Sequence, residues 1–191
     1  MRRVLLVICA AALFLCPPSA NASPADESLD RLIALVVERL DTGDVVAAAK
    51  WTAATARGIE PTIDDPSREA EVYDAMARLG RERGLPADWV RQVFAGQIEA
   101  NKTVQRGLMT RWRFDPAAVP RAPADLVSVR PIIDRVNDEI VEQLAAQRNM
   151  LTGPDCMERL AHSVFDVVTA GRTDALHQIA LVRATASLCS A

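Results

Sequence analysis

Four stretches of the chain place a cationic or amide side chain where an apolar helical stripe should continue. One runs Leu32, Val36, Arg39, Gly43, Val46, Lys50, and a second runs Arg68, Val72, Ala75, Leu79. A third runs Phe94, Ile98, Asn101, Gln105, Leu108, Trp112, and a fourth runs Leu126, Arg130, Ile133, Asn137, Ile140, Leu144. Steps of three and four residues put each set along one face of a helix. A buried charge without a partner is costly, and so is a buried amide without hydrogen bonds. One such intrusion is ordinary. The same intrusion on four helices points to a shared anion-binding cavity inside a helical bundle.

Taken singly, these residues have plainer readings. Arg39 or Lys50 alone reads as a side chain snorkelling to solvent. Asp65 reads as the N-cap of a helix with Pro66 at its first position. Arg68 and Glu69 fit an exposed, charged first turn. Asn101 and Gln105, at i and i+4, fit a pair that hydrogen-bond each other. The cavity reading rests on the set.

The elements that must hold this set follow from the same pattern. The fold class is all-α: a single-domain bundle of about six helices. The first helix is expected from about Ser28 to Arg57, with a local break at Asp41-Thr42-Gly43-Asp44, since glycine costs about 1 kcal/mol against alanine in a helix interior. The second runs from the Asp65 cap to about Arg83, ended by Gly84. The third opens at Pro86 and reaches about Arg113. Pro116, Pro120 and Pro123 then break the chain into an extended connection. Asp125 caps a fourth helix to about Met150, and Pro131 is expected to start it late or kink it. Gly153-Pro154 separates a last pair, about Asp155 to Ala170 and Thr173 to Leu188. No alternating apolar run is long enough to demand a sheet.

The N-terminus reads as an export signal. Met1-Arg2-Arg3 is basic, Val4 to Cys16 is apolar, and Ala20-Asn21-Ala22 offers small residues for cleavage after Ala22. Residues 1–22 are therefore the signal and residues 23–191 the mature domain. The apolar run is too short to span a bilayer. The bulk of Leu15 argues against lipidation at Cys16. The signal removes two of the 22 Lys and Arg and none of the 25 Asp and Glu, so the mature chain carries a formal charge of −5. That balance argues against a nucleic-acid partner, and no second hydrophobic stretch suggests a membrane partner after cleavage. Cys156 and Cys189 stay in an oxidising compartment and should form one disulfide, stapling the last helical pair. The alternative is two free thiols. A redox role lacks the Cys-x-x-Cys spacing.

The ordered segments Val37-Glu38-Arg39-Leu40, Ala49-Lys50-Trp51, Ile63 to Glu69, Gln97 to Gln105 and Val129-Arg130 resemble chorismate mutase. The resemblance is to the exported, all-helical gamma subclass of the AroQ type, and it runs from about Leu29 to Cys189. Exported mutases carry a matching C-terminal bridge. The resemblance implies that chorismate, a dicarboxylate, rearranges to prephenate by an intramolecular Claisen shift. That reaction needs positioning and electrostatic preorganisation rather than a nucleophile, metal or redox cofactor. It implies that Arg39, Arg68 and Arg130 grip the carboxylates and that Lys50 and Gln105 donate to the ether oxygen. Glu69 would hold the ring hydroxyl, and Asp65 would contact it or orient its neighbours. Asn101 stands where the family often has Ser or Thr, near a carboxylate. The expected catalytic residues are Lys50, Gln105 and Arg39. Simpler AroQ enzymes borrow an arginine across an intertwined dimer. Here one chain holds all the matching cations, which implies a self-sufficient site in each subunit, with pairing into a homodimer left open.

The rival reading is an exported helical protein that captures an anionic metabolite or partner without chemistry. Lys50 and Gln105 discriminate, because dicarboxylate capture needs the arginines but no donors aimed at an ether oxygen. Other features read as structural. His162 and His177 flank no carboxylate cluster and read as surface or packing residues. Trp51, Trp89 and Trp112 read as core, and Arg81-Glu82-Arg83 as a solvated helix end. Asn101-Lys102-Thr103 matches a glycosylation sequon by chance, since it falls mid-helix.

Overall fold

The computed structural model describes residues 28–121, 125–171 and 173–189. The expected signal, residues 1–22, lies outside them. Seven α-helices form among the described residues: α1 (Asp30–Ala56), α2 (Pro66–Glu82), α3 (Ala87–Phe114), α4 (Leu126–Ala146), α5 (Arg148–Leu151), α6 (Cys156–Thr169) and α7 (Ala175–Thr185). A 3₁₀ turn, Pro116–Ala118, follows α3. No β-strand occurs among the described residues, and none of their helices is long and apolar enough to cross a membrane.

Helix starts are set by local chemistry. The Asp65 side chain accepts from the Arg68 amide at 3.2 Å, and Glu69 returns a bond to the Asp65 amide at 3.2 Å. This reciprocal pair, with Pro66 in the first turn, fixes the start of α2. Asp125 caps α4 through the Val127 amide at 3.0 Å, and Asp174 caps α7 through the His177 amide at 2.9 Å.

Three expectations change. The helix α1 runs unbroken through Gly43. A Cβ there would meet Asn101 Nδ2 and Val104 Cγ1 of α3, each at 3.2 Å. Gly43 is thus a point of close approach between α1 and α3, and packing outweighs its poor propensity. α4 starts at Leu126 and continues through Pro131. Pro131 lies in the second turn on the exposed side, where the bond it removes is easily replaced by water. The fourth helix also ends earlier than expected, at Ala146. A bend at Gln147 splits off the single turn α5, and Arg148 reaches back to the Gly84 carbonyl at 3.1 Å.

The helices α1, α3 and α4 carry most of the core, with Leu32, Ile33, Leu35, Val36, Val90, Val93, Phe94, Val136, Ile140 and Leu144 fully buried. α1 packs on α3, α4 and α7, and α2 lies across α3 and α4. Cys156 at the start of α6 and Cys189 beyond α7 are disulfide-bonded, with Cα atoms 5.8 Å apart. The staple holds α6 to a helix that itself packs on α3. Trp89 and Trp112 are buried, and half-buried Trp51 meets Trp112 edge-on at 5.6 Å.

Candidate active site

One cavity opens between α1, α2, α3 and α4, and all eight expected ligand residues line it: Arg39, Lys50, Asp65, Arg68, Glu69, Asn101, Gln105 and Arg130. Val46, Ile63, Val72, Ile98, Leu126, Val129 and Ile133 complete an apolar wall around these polar groups. Helical geometry explains the convergence. Arg39 and Lys50 are eleven residues apart, three turns, so they share a face roughly 16 Å along α1. Asn101 and Gln105 are one turn apart on α3, beside the Gly43 contact.

Arg39 is buried. Its Nε donates to Asn137 Oδ1 at 2.8 Å and its Nη1 to the Gln97 carbonyl at 3.0 Å. It forms no ion pair among the described residues. Burial lowers its pKa to about 10. A guanidinium held by two neutral acceptors, and still charged at neutral pH, is an unneutralised cation in a low-dielectric wall. Lys50, half-buried, donates to the Ile63 carbonyl. Burial lowers its pKa, against the opposing pull of Asp65, Asp64 and Glu69.

The amides form a directed relay. Thr42 Oγ1 donates to the Arg39 carbonyl at 2.6 Å. Asn101 Nδ2 donates to that same carbonyl and to Thr42 Oγ1, both at 3.3 Å. A carbonyl only accepts, so Asn101 must turn its nitrogen that way and its Oδ1 toward Gln105. Gln105 Nε2 donates to that oxygen at 2.8 Å. One Nε2 hydrogen is left over, and Gln105 Oε1 is buried without a partner among the described residues. Buried polar atoms are ordinarily satisfied, so this one marks a group shaped by something other than folding.

The rim differs from the interior. Arg68 is partly exposed; its guanidinium pairs with Glu71 of its own helix at 3.0 Å and ties α2 to α4 through Asp134 at 3.1 Å. Arg130 is exposed and has no ion pair among the described residues. Both line the mouth.

Three residues that serve the site were not among those expected. Asn137 orients Arg39, and it had been visible as the amide intruder in the fourth stripe. Thr42 begins the amide relay. Lys102 lines the cavity and ion-pairs with Glu69 at 2.7 Å. Its position was readable, since 98, 102 and 105 share a helical face. Buried Asn101 also bears out the reading of its sequon as a chance match. His177 packs as expected but corrects the expectation that it flanks no carboxylate cluster. It is buried, with Asp174 2.8 Å from Nδ1 and Asp44 3.3 Å from Nε2. Asp44 comes from α1, a juxtaposition no local spacing reveals. His162 is exposed, as expected.

Fold and site define an all-helical pocket protein, with a cationic interior that lacks counter-charge at Arg39 and a set of neutral donors beside it. Comparison with known proteins makes the class specific. The family profile "Chorismate mutase type II" matches residues 26–106. The chain is 33% identical over 178 residues to the secreted chorismate mutase of Mycobacterium tuberculosis, spanning 92% of this chain and 84% of that one. It is 34% identical over 172 residues to the secreted chorismate mutase of Mycolicibacterium smegmatis, spanning 90% and 91%. The crystal structure of a chorismate mutase from Burkholderia phymatum superposes with a TM-score of 0.78 at 30% identity, covering 88% of this chain and all of that one. The chain belongs to the chorismate mutase family.

Proposed function

We propose that this chain converts chorismate to prephenate in the cavity between α1 and α4, working outside the cytoplasm after loss of residues 1–22. Family membership supports the reaction, and the secreted relatives support the location. The observation that carries the site assignment is Arg39, a buried guanidinium on the cavity wall with no carboxylate partner among the described residues. A substrate carboxylate supplies the missing charge. Arg68 and Arg130 at the mouth take the second carboxylate, Arg68 by turning from Glu71 and Asp134.

The chemistry asks the protein to hold a compact, chair-like conformer and to stabilise charge growing on the breaking ether oxygen. Lys50 offers an ammonium and Gln105 the Nε2 hydrogen that Asn101 leaves over. Both are fixed before substrate arrives, Lys50 by Ile63 and Gln105 by the amide relay. Their reorganisation at the transition state is small, which is the basis of electrostatic preorganisation. Glu69 and Asp65 take the ring hydroxyl. Even the low end of enzymic acceleration, ~10⁶, requires roughly 8 kcal/mol. Asn101 acts by aiming Gln105, since both of its N–H groups are engaged within the protein.

All eight residues come from one chain, which supports a complete site in each subunit whether or not subunits pair as a homodimer. The test is loss of chorismate absorbance, with prephenate formed, on adding purified protein. Tight binding of chorismate without turnover would instead favour capture without catalysis.

A further inference from the structure

Lys102 is a buried cation that the proposed chemistry does not use. Its side chain is only 9% exposed, and its Nζ lies 2.7 Å from Glu69 Oε1, 2.9 Å from Asp64 Oδ1 and 3.0 Å from Glu99 Oε1. The three carboxylates come from the lip before α2, the first turn of α2, and α3 itself. An ammonium has three N–H donors and no acceptor, so three carboxylates account for all of them. Little is left with which Lys102 could grip a ligand directly, although it lines the cavity.

We propose that Lys102 is a positioning residue that aims the Glu69 carboxylate at the substrate's ring hydroxyl. The inference rests on the reading that Glu69 holds that hydroxyl. Glu69 Oε1 accepts from both Lys102 and the Asp65 amide. Both contacts fall on one oxygen, so Oε2 is the oxygen left to take a hydroxyl hydrogen. The lip is tied at two points: Lys50 of α1 holds the Ile63 carbonyl, and Lys102 of α3 holds the Asp64 carboxylate. Burial works against the charge on Lys102, but hydrogen bonds to Glu69, Asp64 and Glu99 overcome it and raise its pKa above the ordinary lysine value. Lys102 therefore stays charged wherever the enzyme works. Arg106 stands further out, 3.6 Å from Asp64 and 3.8 Å from Glu99, with no contact to Glu69, and takes no part in aiming it.

A double-mutant cycle on purified enzyme tests this, with kcat and KM measured separately and folding followed by circular dichroism. Lys102→Met should lower kcat/KM about tenfold, an effect expressed through Glu69. In a Glu69→Ala background the same substitution should change kcat/KM less than about twofold, because the group it aims is gone. Lys102→Arg should recover part of the loss, and Arg106→Ala should stay within about twofold of the parent. If Lys102→Met fails to fold against three facing carboxylates, Lys102→Met with Glu99→Gln removes one of them, and the cycle is run on that pair. Penalties that multiply in full would show that Lys102 acts independently of Glu69 and overturn the inference. Parental activity in Glu69→Ala alone would overturn the hydroxyl reading beneath it, a separate result read from a separate variant.

Discussion

Gln105→Glu is the substitution that most directly interrogates the chemistry. Gln105 is buried, and its Nε2 donates to Asn101 Oδ1, an oxygen whose direction is fixed by the Arg39 carbonyl. A glutamate placed there faces that oxygen and must be protonated to donate at all, and its single O–H serves either Asn101 Oδ1 or the ether oxygen, where the amide's two hydrogens serve both. Burial and the facing oxygen raise its pKa from an ordinary value of about 4.3, and Lys50 and Arg39 oppose the rise. If the balance leaves an apparent value near 6, about 1% of the enzyme is competent at pH 8, and kcat/KM falls tenfold per pH unit above 6. The parent amide donates at every ordinary pH, so its kcat/KM should be nearly flat between about pH 5 and 8. It should fall only when Lys50 loses its proton, earlier than an ordinary lysine because burial lowers its pKa. Gln105→Leu should be slow at all pH values, by about 10²–10³, the usual cost of one preorganised donor. The assay is chorismate disappearance in overlapping buffers of constant ionic strength. A Gln105→Glu profile that superposes on the parent would refute the argument, because the side chain would then not touch the ether oxygen.

Arg39→Ala, Arg68→Ala and Arg130→Ala should each lower kcat/KM strongly with helical content intact. Arg39 should cost most, about 2–5 kcal/mol, or roughly 30- to 5,000-fold, as for truncating one partner of a buried charge pair. Near-normal turnover in Arg68→Ala would remove the mouth from the site. Reduction of Cys156–Cys189 should lower Tm by the equivalent of roughly 3–4 kcal/mol on the chain-entropy account of disulfides, while leaving turnover in the folded protein. Two free thiols by mass spectrometry, or inactivity in folded, reduced protein, would contradict that. Burial lowers the His177 pKa, but Asp174, Asp44 and Asp41 overcome it and raise the value above 6.5. The resulting stabilisation is complete below about pH 6.5 and is lost as pH rises through the higher folded value. The Tm gap between parent and His177→Gln should therefore be wider at pH 5.5 than at pH 8.5; an unchanging gap would rule out the linkage.

Much of the site was legible because helical spacing converts directly into faces. Arg39 and Lys50, or Asn101 and Gln105, need only a 3.6-residue period to be placed side by side. The caps at Asp65 and Asp125 were equally local. What escaped was decided between helices. Gly43 looked like a weak point in α1, and only contact with Asn101 and Val104 of α3 shows why the helix runs through. Arg68 was readable as a charged first-turn residue, but not its tie to Asp134 of α4, 66 positions away in sequence. His177 showed no carboxylate cluster until α1 brought Asp44 to it. Lys102 was on the right face, but its three partners come from different elements, and its function depends on all of them.

The unneutralised Arg39 ties the protein's durability to its ligand. Holding that charge in the wall costs on the order of 3 kcal/mol at neutral pH, judged from its lowered pKa. A dianion at a hundred times its Kd would restore about 2.7 kcal/mol. The unliganded protein is therefore the more perishable form, more open to heat and to proteases. Its lifetime lengthens with the supply of the molecule it acts on, and substrate becomes a preservative as well as a reactant.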